Sequence, residues 1–106
     1  MAPDGKDMVL DSTFAFMDSK GVIWSAYKGD LVNGANIPSI FKPIIGSSYQ
    51  SSYLPAAVIH DVYCQNKTRS WPDTARMFYE AMITNGVNFF KARLMYMAVW
   101  LAGPHW

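Results

Sequence analysis

The stretch YLPAAVIHDVYCQN, residues 53–66, decides the fold because it is the clearest helical segment of the chain. Its first half is almost entirely apolar, and Pro55 is tolerated because it falls in the first turn of a helix. His60 and Asp61 interrupt this apolar surface side by side. We therefore predict a central, largely buried helix with two polar side chains, each of which needs a partner.

Length and composition favour one globular domain. The chain has 106 residues, of which 51% are hydrophobic and 15% are aromatic, so it can bury a core and is not a disordered protein. The net charge is +1 and the basic residues are scattered, which argues against a nucleic-acid-binding surface. The single cysteine, Cys64, excludes an internal disulfide and favours a reducing compartment.

The chain shows no signal for export or membrane insertion. Its beginning, MAPDGKDMVLD, lacks the charged-then-apolar pattern of a signal peptide. The longest apolar run, residues 94–102, is much shorter than the roughly 20 residues that a spanning helix needs. We therefore expect a cytoplasmic protein that is not transmembrane.

A β-hairpin is predicted before the central helix. Residues 12–17 and 22–28 are rich in aromatic and β-branched side chains, and Asp18-Ser19-Lys20-Gly21 between them is typical of a turn. Two strands alone are only marginally stable, so the hairpin must pack on the helices. Residues 1–10 are polar overall and are expected to form a loose arm.

Two more helices are predicted after the central one. Ser70 and Asp73 form a capping-box arrangement at the start of the first, and Asn85-Gly86 ends it. Arg76 and Glu80 lie one turn apart on its exposed side and are expected to pair. The last helix is apolar almost all round towards its end, which is typical of a buried helix.

These elements predict an α+β fold in a single domain, residues 1–106. The hairpin, assigned to residues 11–29, packs on a helical core assigned to residues 30–106. That core contains a short helix near residues 38–42 and the three longer helices.

His60 has two interpretations. It is either a neutral core histidine, hydrogen-bonded to a carbonyl or carboxylate, or a general base whose second nitrogen is held by a carboxylate. Asp61 is about 100° around the helix and cannot readily orient it. Asp73, at the start of the next helix, is the acid that could do so, although capping also explains its position.

The neighbours of His60 also have alternatives. Asp61 could accept hydrogen bonds from loop amides or help to bind a hard cation such as Ca²⁺, and the loop 33–38 is the obvious source of further oxygen ligands. Tyr63 could donate its hydroxyl to a buried acid or simply pack. Cys64 lies on the same helical face as His60, so it is either a small core residue or a partner for the imidazole.

Several motifs in order resemble a family of small phage and prophage proteins of unknown function. They are GANIP, YLPAAVIHDVYC, MFYEAM and KARLMYMAV, and the resemblance covers roughly residues 24–106. It implies a phage-type protein located in the bacterial host cytoplasm or associated with the virion.

A second resemblance is to the phospholipase A2 superfamily, in which a glycine-containing calcium loop precedes a helix with adjacent His and Asp. It implies a phospholipase-like helical core in which His60 is the general base and Asp61 a Ca²⁺ ligand. The carbonyls around Asn33, Gly34 and Asn36 would complete the cation site. The cation would polarise an ester carbonyl for attack by water.

The sequence departs from these patterns at three positions. Asn33 and Asn36 stand where the calcium loop usually has Asp and Ser. Ala75 stands where related sequences often have the Asp or His that would orient the histidine. Asp73 is the remaining candidate for that role, but it is about 200° from Ala75 around the helix.

Two functions follow. The first is a non-catalytic interaction module that binds a virion, lysis or host protein, or lipid. The alternative is a Ca²⁺-dependent lipid or ester hydrolase with His60 as general base, in which Asp73 and Tyr63 are the other candidate catalytic residues. Ala75 and Asn33 favour the binding module, whereas the intact His60–Asp61 pair favours catalysis.

Overall fold

The computed structural model describes residues 8–32 and 54–106, and within them the chain forms four short strands and three helices. The elements are β1 (Met8–Val9), β2 (Phe14–Met17), β3 (Ile23–Ala26), β4 (Leu31–Val32), α1 (Leu54–Asn66), α2 (Trp71–Thr84) and α3 (Phe89–Ala102). This arrangement confirms the predicted α+β class and the three longer helices. The predicted short helix near residues 38–42 lies outside the described residues.

The predicted hairpin is present, with narrower bounds. Strands β2 and β3 pair antiparallel, with Phe14 opposite Ala26 and Met17 opposite Ile23. The carboxylate of Asp18 holds the turn by accepting hydrogen bonds from two backbone amides and from the Trp24 indole, each at 2.9 Å. The turn is therefore built from its own short polar side chain, as the turn sequence predicts.

The predicted loose arm is wrong for residues 8–10. Strand β1 pairs antiparallel with β4, placing Met8 opposite Val32. Leu10 is buried in the core, and its amide donates to the Asp30 carbonyl at 2.9 Å. The segment is ordered because its partner is a distant two-residue strand, which no local pattern reveals.

Helices α2 and α3 begin at the predicted caps. The Ser70 hydroxyl accepts from the Asp73 amide at 3.3 Å, and the Asn88 side chain accepts from the Phe90 amide at 2.9 Å. Helix α2 stops before Gly86, whose φ of +86° favours glycine. These side chains satisfy amides that would otherwise have no partner at a helix start.

The predicted Arg76–Glu80 pair is not formed. Arg76 instead pairs with Asp73 one turn earlier, at 2.8 Å. Glu80 accepts a hydrogen bond from the Ser19 amide at 2.9 Å, which ties the hairpin turn to α2. A tertiary donor has therefore replaced the local ion pair, whose stabilising effect on a helix surface is only a few tenths of a kcal/mol.

Helix α1 is the centre of the described fold, because it packs against α2 and against strands β2, β3 and β4. Helix α3 packs on α2. The prediction that the last helix is buried is wrong for one side, since Met97 is 51% exposed and Leu101 is 74% exposed. The apolar pattern of α3 reflects both a core-facing side and an uncovered apolar side.

The C-terminal residues fold back over the start of α2. The Trp106 indole donates to the Arg69 carbonyl at 2.8 Å. His105 stacks on Trp71 with ring centroids 3.8 Å apart, and its Nε2 lies 2.7 Å from the Trp100 carbonyl oxygen. Among residues 8–32 and 54–106, the helices fall short of the length and hydropathy that crossing a lipid bilayer requires.

Candidate functional site

His60 lies in the middle of α1 and faces α2. It is 1% exposed, and its ring lies 4.7 Å from the Phe78 ring. Ala75, where an orienting side chain is expected by resemblance, is buried as well. Burial lowers the pKa of His60 to about 4, because the charged imidazolium would lose its hydration. The imidazole is therefore neutral at pH 7 and a weak base.

Cys64 is the hydrogen-bond partner of His60 in the described part of the chain. Its Sγ lies 3.5 Å from His60 Nε2 and 3.8 Å from Nδ1, so the predicted placement on one helical face is confirmed. Burial, and secondly the charge of Asp61, raise the pKa of the Cys64 thiol to about 12. A neutral thiol beside a neutral imidazole is not the thiolate–imidazolium pair of a nucleophilic cysteine.

Asp73 is not placed to orient His60. Its side chain is half-exposed and pairs with Arg76, while its amide is capped by Ser70. Across residues 8–32 and 54–106, no carboxylate forms a hydrogen bond with His60. Asp73 therefore lies in the first turn of α2, at the surface, whereas His60 lies in the core.

Asp61 points away from His60, as predicted, towards strand β4. It is 2% exposed, and its carboxylate accepts from the Gln65 amide group at 3.1 Å. The same Gln65 nitrogen donates to the Leu31 carbonyl at 3.0 Å. Asp61 thereby helps to hold α1 against the strand that directly precedes the predicted calcium loop.

The other predicted Ca²⁺ ligands, Asn33, Gly34 and Asn36, lie outside the described residues, so the calcium site stays a prediction. Within the described ranges, no group of three or more His, Cys, Asp or Glu side chains is close enough to hold a metal ion.

Tyr63 packs between α1 and the hairpin. Its hydroxyl accepts a hydrogen bond from the Ser25 amide at 3.2 Å. Its ring meets the Trp24 ring edge-on, with centroids 4.9 Å apart. Tyr63 therefore packs against the hairpin and accepts a hydrogen bond from it, and its catalytic role stays a prediction.

A polar pocket of about 380 Å³ opens beside Tyr63, between α1 and the β3–β4 segment. Sequence reasoning did not identify it, because the residues that line it are brought together from the hairpin and from the end of α1. Most of its lining side chains are uncharged hydrogen-bonding groups. They are Ser25, Tyr27, Asp30, Leu31, Val62, Tyr63, Gln65, Asn66 and Thr68.

The position of Arg69 is a second feature that the sequence did not predict. Its guanidinium carbon lies 4.5 Å from the centre of the Trp24 ring and 5.3 Å from that of Tyr63. Its Nη1 is buried and has no hydrogen-bond acceptor among residues 8–32 and 54–106. An arginine in a short polar loop carries no pattern that predicts such a contact with a distant strand.

Comparisons with known proteins give a family and longer relatives. Residues 8–99 match the family described as "Protein of unknown function (DUF1353)". Two similar proteins come from Sinorhizobium fredii (strain NBRC 101917 / NGR234). Uncharacterized protein y4iH is 39% identical over 103 residues, which are 97% of this chain and 43% of the relative. Uncharacterized protein y4jT is 46% identical over 97 residues, which are 92% of this chain and 29% of the relative.

The chain spans less than half the length of these relatives. No solved structure matches it. Since the family match covers most of the sequence, the chain belongs to the DUF1353 family of proteins of unknown function.

Proposed function

We propose that this chain is a non-catalytic binding module, and that the polar pocket beside Tyr63 is its ligand site. The observation that carries the proposal is the burial of His60, the residue on which hydrolysis would depend. A general base must come within hydrogen-bond reach of the proton that it removes, either directly or through one water. At 1% exposure, His60 offers no such approach to a substrate.

The electrostatics around His60 support the same proposal. An effective general base has a pKa near the working pH, whereas burial lowers the pKa of His60 to about 4. An orienting carboxylate would raise it, but the described partner is the neutral thiol of Cys64. These properties are those of a core histidine that fills space between α1 and α2.

The lining of the pocket indicates the chemistry of the ligand. Its size is at the lower end of the range for small-ligand sites, about 300–1,000 Å³. Asp30 is the one charged side chain among the described residues that line it, and Asn66 and Thr68 supply amide and hydroxyl groups. The ring of Tyr27, 61% exposed, can stack on a ligand. We expect an uncharged polar ligand, such as a peptide segment of a protein partner.

The phage-type origin suggested by the motif resemblance makes a virion, lysis or host protein a suitable partner. Such a protein would present one polar segment to the pocket, and its binding would need neither His60 nor a metal.

The binding proposal is tested by NMR titration of the labelled chain with pools of short peptides. We expect the amides of Ser25 and Thr68 to shift with at least one pool, and Tyr27→Ala to weaken that binding at least tenfold. Met17→Ala is the matched control, because Met17 has the same exposed fraction as Tyr27 but lies on β2, outside the pocket lining. Equal weakening in both variants, or shifts confined to another surface, would contradict the pocket assignment.

The alternative, a Ca²⁺-dependent hydrolase, rests on the phospholipase resemblance and the adjacent His60 and Asp61. It is tested by Ca²⁺ calorimetry and by hydrolysis of phospholipid vesicles, with His60→Asn and Asp61→Asn beside the wild type. We expect no turnover that depends on His60. Ca²⁺ binding that is lost in Asp61→Asn, together with turnover that is lost in His60→Asn, would overturn the binding proposal.

A further inference from the structure

Arg69 is a cation held by aromatic rings instead of an acid. Its guanidinium lies over Trp24 and close to Tyr63, which fixes it by cation–π contact. In the described part of the chain, no carboxylate pairs with it. Its buried Nη1 also has no acceptor among these described residues, and an unmet buried donor of this kind is rare in folded proteins.

The acids near Arg69 are already used by other donors. Arg69 lines a cavity of about 110 Å³ together with Asp18, Asp73 and Glu80. Asp18 accepts from three N–H groups of its own hairpin, Asp73 pairs with Arg76, and Glu80 accepts from a turn amide. Among the described groups that line this cavity, Arg69 Nη1 is the buried polar atom that has no hydrogen-bond partner.

We propose that this cavity binds a single oxyanion group, a carboxylate or a phosphate, through Arg69 with Lys20 at its edge. The planar guanidinium matches both groups, because each presents two oxygens at the spacing of its N–H donors. The cavity is the size of a few water molecules of roughly 30 Å³ each, so it accommodates one such group and not a whole nucleotide.

The charges of the cavity set the strength of binding. Lys20, Arg69 and Arg76 are balanced by the three acids, so net charge does not attract the anion. Since Nη1 lies beneath its neighbours, the anion must bind the accessible part of the guanidinium or draw Nη1 outward. We therefore expect weak, millimolar binding of the isolated ion. This cavity is separate from the polar pocket beside Tyr63. The test of anion binding therefore does not depend on the proposed peptide binding.

The experiment is an NMR titration of the full labelled chain with sodium phosphate and with sodium acetate, against sodium chloride at equal ionic strength. The reporters are the Trp24 indole N–H, which lines the cavity region through its bond to Asp18, and the Arg69 Nε–H. We expect saturable shifts with phosphate, acetate or both, beyond those with chloride. The ion that saturates identifies the group. Shifts no larger than with chloride for either ion would overturn the proposal.

Two variants separate the site from general ion effects. Arg69→Gln should abolish saturation, whereas Arg76→Gln should keep it within about twofold, because Arg76 lines the same cavity but is already paired with Asp73. If Arg69→Gln does not fold, Arg69→Lys keeps the charge but loses the planar fork and should weaken binding several-fold. Unchanged saturation in a folded Arg69 variant would contradict the assignment.

Discussion

At the scale of single residues, His60 shows how one side chain can have two meanings in a sequence. A histidine next to an aspartate in an apolar helix is typical both of a core position and of a catalytic one. What separates them is the neighbouring helix, which supplies Phe78 at 4.7 Å and the small Ala75 where a carboxylate would be needed. The sequence alone shows that Ala75 replaces the expected orienting residue. The contact between the His60 and Phe78 rings could be found only from the fold.

The burial of His60 predicts a pH dependence of stability. In the unfolded chain His60 has its ordinary pKa of 6.5, and in the folded protein the pKa is about 4. Between these values the unfolded state binds one more proton, so the free energy of unfolding falls as the pH decreases from 6.5 to 4, by up to about 3 kcal/mol. Urea unfolding at several pH values measures this slope.

His60→Leu is the control for that slope. The substitution removes the titrating group and keeps a similar volume, so the slope between pH 6.5 and 4 should flatten. A wild-type slope that persists unchanged in His60→Leu would mean that other groups cause it, and would contradict a depressed pKa at His60.

Cys64 gives a second residue-scale prediction. Because burial and the charge of Asp61 raise its pKa to about 12, the thiol is protonated at neutral pH. We expect iodoacetamide at pH 7.5 to label the folded chain at least about tenfold more slowly than the unfolded chain, followed by mass spectrometry. Equally fast labelling in the two states would point to a reactive thiol instead of a core residue.

At the scale of elements, what could be predicted from sequence is what is decided locally. The starts of α2 and α3 follow from Ser70 and Asn88, whose side chains bond amides of the first turn. The Arg76–Glu80 pair was predicted by the same local reasoning and was wrong, because the Ser19 amide reaches Glu80 from a distant turn.

That difference gives a prediction for α2. Glu80→Ala leaves the Ser19 amide without its charged acceptor and should lower the free energy of unfolding by about 1 kcal/mol. Arg76→Ala removes an exposed ion pair with Asp73 and should cost less than about 0.5 kcal/mol. Urea unfolding of both variants measures the two costs. Equal costs, with no further loss in the Arg76→Ala/Glu80→Ala double variant, would restore the local pair that the sequence suggested.

At the scale of the whole molecule, the features that could not be predicted from the sequence depend on long-range contacts. The pairing of β1 with β4, the polar pocket and the placement of Arg69 over Trp24 each join segments far apart in the chain. The hairpin and the three helices were predictable because periodicity and caps are local. The surfaces that we propose as binding sites were not, because they exist only where those elements meet.

Tyr63 tests how the hairpin is held on α1. Its hydroxyl satisfies the Ser25 amide of β3, which would otherwise lack a partner in a half-buried position. Tyr63→Phe keeps the ring contact with Trp24 and removes that bond, so we expect a loss of about 1–2 kcal/mol and faster hydrogen exchange at Ser25. Unchanged exchange at Ser25 would show that this bond does not hold the hairpin to the helix.

The central claim is that the histidine in the middle of α1 is a core residue and not a base. It is tested most directly by following the ring proton and carbon signals of His60 by NMR from pH 8 to pH 3.5, with and without Ca²⁺. The structure predicts a neutral imidazole that titrates at about pH 4. A midpoint between pH 6 and 7, near the optimum for a general base, would contradict the claim and restore the hydrolase.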